Sequence, residues 1–318
     1  MTDLIPLQNT DLAQRVLAEA TKNYIDQSLS FATRKAYASD IKIFSTWCAA
    51  HALAALPAAP ETVALFLASQ AQAGVAASTL NRRLAAIRFA HEAKGHATPT
   101  AHKGVTAALK GIRRAKGTAP SKKKAATADI VKEMVRRCPD TLNGRRDRAL
   151  LLLGFAGAFR RAELVALTVA DLAFADDGLR ITIRKSKTDQ EAAGQVIAIP
   201  HGSVLFCPVT ALKNWLAVAG IEAGPIFRAV GKGGRIGPSA LSDKSVAKRV
   251  KHYAGQVGLD AADFAAHSLR AGFVTSAAEA GASIFKMAEV SRHRSTDVLA
   301  GYVRSANLFT DHAGANLL

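Results

Sequence analysis

Cutting a phosphodiester without a metal ion takes a particular set of side chains, and the second half of this 318-residue chain carries one. Arg160 stands in GAFRRAEL, where an apolar run meets a glycine-assisted turn. Glu163 follows three residues on, on the same helical side, where it can orient a guanidinium. Lys187 sits in SKTD. His267 and Arg270, in HSLR, are spaced i and i+3 and project from one helical face. His293 lies in SRHRS, and Tyr302 follows it by nine residues in AGYVR. Guanidinium forks clamp the two non-bridging phosphate oxygens and stabilise charge on a pentacoordinate phosphorane. A lysine protonates a leaving alkoxide, and a histidine takes or relays the nucleophile's proton. Tyrosine, with a pKa of about 10, attacks only when such neighbours activate it. Singly, each residue reads as a surface arginine, a satisfied histidine or a core tyrosine; the set specifies the chemistry. No DxD, HExxH, Walker loop or GxGxxG competes, so no metal and no nucleotide cofactor is expected.

These residues need elements to hold them. The patterning downstream of residue 127 predicts helices over 129–138, 146–157 (very apolar, ending at Gly157) and 161–167. Alternation over 179–184 and 196–199 predicts two strands, paired as a hairpin around a 185–193 loop that carries Lys187. The rest reads as helical, over 209–219, 243–254, 267–280, 283–291 and 296–303.

Upstream, Tyr37, Ile41, Phe44 and Cys48 recur at spacings of four, three and four, one face of a helix over 33–48, with Arg34, Lys35 and Lys42 elsewhere. Pro57 and Pro60 separate it from a helix over 62–73, ended by Gly74. Ser78 caps a third, with Leu80, Leu84 and Ile87 inward and Arg82, Arg83 and Arg88 outward. A fourth, 104–114, buries Val105, Leu109 and Ile112 and exposes Lys110, Arg113 and Arg114. Residues 1–20 read as a loose arm, 21–115 as a helical DNA-binding domain, and 127–318 as a catalytic domain. Between the domains, 116–126 (KGTAPSKKKAA) lacks apolar pattern and reads as a basic linker with Lys122, Lys123 and Lys124. The fold class is mainly α with a small β-hairpin or sheet in the catalytic domain.

The composition agrees with a nucleic-acid partner. Lys and Arg number 42 against 25 acidic residues, a net charge of +17, which points to a polyanion. At 49% hydrophobic the chain affords a sizeable core, which excludes wholesale disorder. The three cysteines are widely separated and form no CxxC, which argues against a disulfide framework or a structural zinc. The start is acidic and polar, unlike a secretory signal, and the longest apolar run is too short to span a bilayer. A reducing, cytoplasmic setting is expected.

The order Arg160, Lys187, HxxR, His293, Tyr302 resembles the tyrosine recombinase (phage integrase) family over nearly the whole chain. FRRAEL is similar to its first box, SKT to its hairpin lysine, and HSLRAGF to its second box, with Lys185 close enough to be confused with Lys187. The nine-residue step from His293 to Tyr302 matches the step to the family's nucleophile; Arg292 stands where members usually carry glycine. In size the chain is similar to the simple Cre- and Xer-like recombinases. The resemblance implies a core-binding domain followed by a catalytic domain. It also implies a metal- and ATP-independent reaction through a 3′-phosphotyrosyl link and a Holliday junction. The implied partners are duplex DNA with inverted half-sites, a homodimer on each site and a homotetramer in the synapse, with tails exchanged between protomers and accessory proteins unknown. A type IB topoisomerase, a hairpin telomere resolvase and a catalytically silent DNA-binding protein on the same scaffold are the competing readings.

Overall fold

The computed structural model describes residues 14, 16–17, 19–21, 24, 28–117, 123–184, 194–293 and 295–306. The chain divides into two compact units, Met1–Ser121 and Lys122–Leu318. No helix among the described residues is long and apolar enough to cross a membrane.

Among the described residues the first unit holds α1 (Phe31–Ala50), α2 (Pro60–Gln72), α3 (Ala77–Ala93) and α4 (Lys103–Lys116), and residues 14, 16–17, 19–21 and 24 are helical too, where a loose arm was expected over 1–20. Its core is the inward stripe of each: Phe44 and Cys48, Val63, Phe66 and Leu67, Leu80 and Ile87, Val105 and Leu109. Phe44 and Phe66 meet edge to face at 5.0 Å. Ser30 caps α1, its hydroxyl accepting from the Thr33 N–H at 3.2 Å.

The basic faces depart from the periodic reading in two ways. Ser78 is not the cap of α3: the N-cap is Ala76, whose carbonyl already accepts from Thr79 and Leu80, so Ser78 lies inside the first turn. Nor do Arg82 and Arg83 simply point away. Asp40 of α1 is buried, and Arg82 donates to its carboxylate at 2.7 and 3.1 Å. Arg83 reaches the same group at 3.7 Å and donates to Gln70. Arg88 pairs with Glu92 one turn on at 2.7 Å. A desolvated carboxylate needs cationic partners, and on α3 that need overrides the outward placement inferred from the stripe. Lys35, Lys42, Lys110, Arg113 and Arg114 are exposed, and Arg34 is half-buried.

In the second unit, α5 (Ala128–Arg136), α6 (Leu142–Ala156) and α7 (Arg161–Ala166) precede a three-stranded antiparallel sheet. Its strands are β1 (Leu172–Ala175), β2 (Gly178–Ile183) and β3 (Gln195–Pro200), paired in that order. Leu179 faces Ile199 and Ile181 faces Ile197, all buried, while Arg180 and Thr182 are exposed, the alternation of a sheet with one wet face. Helix α8 (Pro208–Val218) follows, then a second hairpin of β4 (Arg228–Val230) and β5 (Ile236–Ala240). Helices α9 (Asp243–Gln256), α10 (His267–Glu279), α11 (Ile284–Ser291) and α12 (Thr296–Ala306) complete the unit.

Neither β1 nor the second hairpin was expected, since the chain from 209 onward read as helical. GKGGRIGPSA carries glycine and proline and no alternation, and LAFA is too short to show any. Tertiary pairing supplies what pattern does not; the Leu241 N–H, for example, donates to Phe227 O at 2.8 Å. Helix α6 is the centre of the core, with Ala149–Leu153 buried, and α8, which buries Trp215, packs along it. The indole N–H of Trp215 is satisfied by Ile226 O at 2.7 Å.

The linker also needs correction. Helix α4 continues through Lys116, and residues 123–126 belong to the second unit. Lys123 Nζ donates to Ala262 O at 2.6 Å, Lys124 Nζ pairs with Asp263 at 2.7 Å, and the Ala126 N–H donates to Ser268 O at 2.9 Å. Ala126 is fully buried. A run without periodicity reads as linker, yet backbone hydrogen bonds need no side-chain pattern. Lys122 lies outside the described residues, as does most of the 1–20 arm. Where this strap crosses α10, Gly272 touches the Ala126 carbonyl so closely that any Cβ would overlap it. Gly272→Ala is therefore expected to cost the second unit about 2 kcal/mol through backbone displacement, read as a lower melting temperature of that unit.

Candidate active site

Four segments of the second unit bring the site together. The first is the turn after α6. Gly157 closes the helix with its N–H on Leu153 O, and Ala158, at φ +44°, carries the left-handed step. Glycine at 157 is needed for another reason: a Cβ there would overlap the buried Phe159 ring. The turn delivers Arg160 to the N-cap of α7. Its backbone N–H donates to Glu163 Oε2 at 3.0 Å and its Nη1 to Oε1 at 2.6 Å, so one carboxylate fixes both ends of the residue. Arg161, the neighbouring candidate, turns outward to Asp243 at 2.9 Å.

The second segment is the first turn of α10. His267 is exposed there, while Arg270 is only 1% exposed. Arg270 Nη1 donates to Ala158 O at 2.8 Å; its Nη2 is buried with no hydrogen-bond partner among the described residues. An orphaned buried donor costs on the order of 1–3 kcal/mol, and a guanidinium N–H is a donor well suited to an anionic oxygen. Burial first, then the charges of Arg160 and Arg292, push the Arg270 pKa down to about 9, so it is still a cation at neutral pH.

The third segment is the end of α11. Ser291 donates its hydroxyl proton to Met287 O at 2.5 Å, so its oxygen accepts from His293 Nδ1 at 2.7 Å. That fixes the proton on Nδ1 and leaves Nε2 as the acceptor. Burial, then Arg270 and Arg160, lower the His293 pKa to about 4. Desolvation of the ring by the atoms packed around it, although the residue keeps an exposed edge, then the charges of Arg270 and Arg160 lower that of His267. His293 is therefore neutral at pH 7, and the shift of His267 favours its neutral form.

The fourth segment is α12. Tyr302 is half-buried on a small apolar cluster of Val274, Ala278, Met287 and Leu299, and is close enough to Arg270 for a phenolate there to raise the guanidinium's pKa. Tyr253 is in a different place: it is buried, and its hydroxyl donates to Asp147 at 3.1 Å. Burial and then the Asp147 charge raise its pKa far above the ordinary value. Tyr37 packs on Phe89 in the first unit, and Tyr24 is exposed.

The structure thus gathers Arg160, Glu163, His267, Arg270, His293 and Tyr302. Lys187 and its alternative Lys185 lie outside the described residues. Arg292 was missed as part of the site. Its guanidinium is buried and donates to Glu163 Oε2 at 2.9 Å. The only signal in the sequence was its presence where a glycine is usual. Burial by itself would push the Glu163 carboxyl up, but Arg292 and then Arg160 outweigh it and hold the group below the usual carboxylate range. Three guanidinium groups around one carboxylate leave the site with an excess of two positive charges, which suits a bound phosphodiester.

The phage integrase family model matches residues 124–308, and the model of a phage integrase N-terminal SAM-like domain matches residues 23–94. An integrase/recombinase XerD homolog of Selenomonas ruminantium is 40% identical over 306 residues, 93% of this chain and 88% of its own length. The tyrosine recombinase XerC of Xylella fastidiosa (strain 9a5c) is 27% identical over 277 residues, 85% of either chain. In fold, the chain is similar to a lambda integrase dimer bound to a COC′ core site, with a TM-score of 0.60 and 19% identity over 90% of this chain and 93% of that one. It is also similar to XerH in a post-cleavage complex with a palindromic difH substrate, with a TM-score of 0.57 and 16% identity over 79% of this chain and 70% of that one. The chain belongs to the phage integrase family and is a site-specific recombinase of the tyrosine type.

Proposed function

We propose that this protein binds duplex DNA at inverted half-sites and exchanges strands through a 3′-phosphotyrosyl intermediate formed by Tyr302. The observation that carries this reading is the unpartnered buried Nη2 of Arg270, set among Arg160, two histidines and the one half-buried tyrosine near them. Arg160 and Arg270 hold the non-bridging oxygens of the scissile phosphate. The phenol oxygen attacks phosphorus, its proton passing to a neutral imidazole, for which the bare Nε2 of His293 is suited. Phosphorus keeps its bond to the 3′-oxygen and becomes linked to the tyrosine, while its bond to the 5′-oxygen breaks and that oxygen leaves, protonated by Lys187. The freed 5′-hydroxyl attacks the phosphotyrosine of the partner strand, first forming and then resolving a Holliday junction. Because the ester bond is conserved, neither ATP nor a metal ion enters the balance.

In the first unit, exposed Lys35, Lys42, Lys110, Arg113 and Arg114, with half-buried Arg34, contact phosphates, and each neutralised phosphate releases counterions. Arg82, Arg83, Arg88 and Lys124 do so while already paired to acids, which lowers their contribution. A homodimer on each site, a homotetramer in the synapse and exchange of the tail after Tyr302 complete the reading. The test begins by selecting bound duplexes from a random library and reading them for inverted repeats. A nicked version of the selected duplex, incubated with the protein in EDTA, is expected to yield an adduct that survives SDS and carries a 3′ linkage. Relaxation of supercoiled DNA lacking that sequence at a comparable rate would instead establish a topoisomerase.

A further inference from the structure

The strongest unassigned feature of the molecule is Arg292. It ends α11 at φ +58° and ψ 41°, a left-handed conformation that glycine adopts freely and a long side chain does not. Its side chain is 3% exposed. A cation both strained at its backbone and stripped of water persists only where its surroundings over-determine it.

Those surroundings are specific. Nη1 donates to Gly157 O at 3.0 Å and Val290 O at 2.5 Å. Nη2 donates to Ala158 O at 3.2 Å and Glu163 Oε2 at 2.9 Å. The guanidinium lies 5.2 Å from the centre of the Phe159 ring. Two of the four acceptors also hold the other guanidinium groups of the site: Ala158 O accepts from Arg270, and Glu163 accepts from Arg160. The carbonyl of Arg292 itself accepts from Arg160 Nη2 at 3.3 Å.

We infer that Arg292 is a positioning residue, a buried fork that sets Arg160 and Arg270 relative to each other through Glu163, the Ala158 carbonyl and its own carbonyl. The inference rests on the reading that those two arginines hold the scissile phosphate. Both Nη atoms of Arg292 are spent on acceptors inside the protein and its unpartnered Nε is buried, so the residue is assigned to positioning rather than to DNA contact. Lysine cannot replace it, since a point charge on a flexible stem cannot fork to acceptors on two segments.

The test compares Arg292→Gly, Arg292→Lys, Glu163→Gln and the double variant Arg292→Gly/Glu163→Gln with the wild type. Single-turnover cleavage of the library-selected, nicked duplex is measured at saturating protein, alongside affinity for the intact duplex. Glycine relieves the left-handed strain, so Arg292→Gly is expected to fold and to bind within a fewfold of wild type. Its cleavage rate is expected to fall on the order of 10²-fold, the penalty of a reacting group displaced by about 1 Å. Arg292→Lys is expected to be slow as well. Because Arg292 acts through Glu163, the double variant is expected to be no slower than the slower single one.

Wild-type cleavage by Arg292→Gly, a multiplicative loss in the double variant, or a loss of affinity parallel to the loss of rate would each overturn the inference. Should Arg292→Gly not fold, Arg292→Lys decides: a slow but tightly binding protein supports the inference, and a wild-type rate ends it. Failure of the wild type to form any adduct would remove the underlying reading, whereas a cleaving wild type matched by Arg292→Gly removes this inference alone.

Discussion

Tyr302→Phe is expected to fold, bind and assemble as the wild type does, and to form no SDS-resistant adduct on the nicked duplex. The substitution deletes one oxygen from a half-buried ring whose apolar body packs on Val274, Ala278, Met287 and Leu299, and it leaves that packing in place. On the proposed mechanism the missing atom is the nucleophile, and no other residue of the site can compensate, because the arginines are assigned to charge and the histidines to protons. The chain has 4 tyrosines, and the other three are badly placed. Tyr253 is the only other one described in the second unit, and its buried hydroxyl is bound to Asp147. Recovery of an adduct from Tyr302→Phe, or a peptide map placing the wild-type link on Tyr253, would overturn the assignment.

The second large effect belongs to the two guanidinium groups. Arg160→Ala and Arg270→Ala are each expected to lower the cleavage rate by a factor equivalent to about 3–4 kcal/mol, by analogy with loss of a preorganised oxyanion donor. Affinity for the duplex is expected to change little, because binding is distributed over many phosphates. The two variants should differ in stability. Arg160 is one-fifth exposed at a helix N-terminus, and its loss leaves Glu163 with Arg292. Arg270 is buried, and its removal opens a cavity beside the Ala158 carbonyl, so its melting temperature should fall more. Gel-shift affinity, single-turnover cleavage and thermal melts separate these effects. Affinity that collapses in step with cleavage would make the arginines structural.

Much of the fold follows from one-dimensional pattern. The stripes Phe44/Cys48, Leu80/Ile87 and Val105/Leu109 are the core of the first unit, because periodicity directly encodes which face of a helix is buried. The pairing of β2 with β3 was legible for the same reason, since alternation specifies a register in which Leu179 meets Ile199. The boxes FRRAEL and HSLR place Arg160 with Glu163 and His267 with Arg270, because each spans about one helical turn.

Partners distant in sequence were not legible. That Arg82 and Arg83 serve a buried Asp40, that residues 123–126 strap onto the second unit, and that Arg270 hangs from the Ala158 carbonyl all depend on which segments come to lie side by side. The clearest case is Arg292. In the sequence it is a basic residue in a polar run, with a histidine beside it. Only the fold shows it turned inward on a left-handed cap, 2.9 Å from Glu163, which lies 129 residues earlier in the chain. Sequence alone determined which chemical groups this protein has, because residue types and short spacings are local properties. Tertiary structure decided which of its cations are spent on its own carboxylates and which buried guanidinium donors are left unpartnered, because that depends on burial and on long-range hydrogen bonding, which no local pattern encodes.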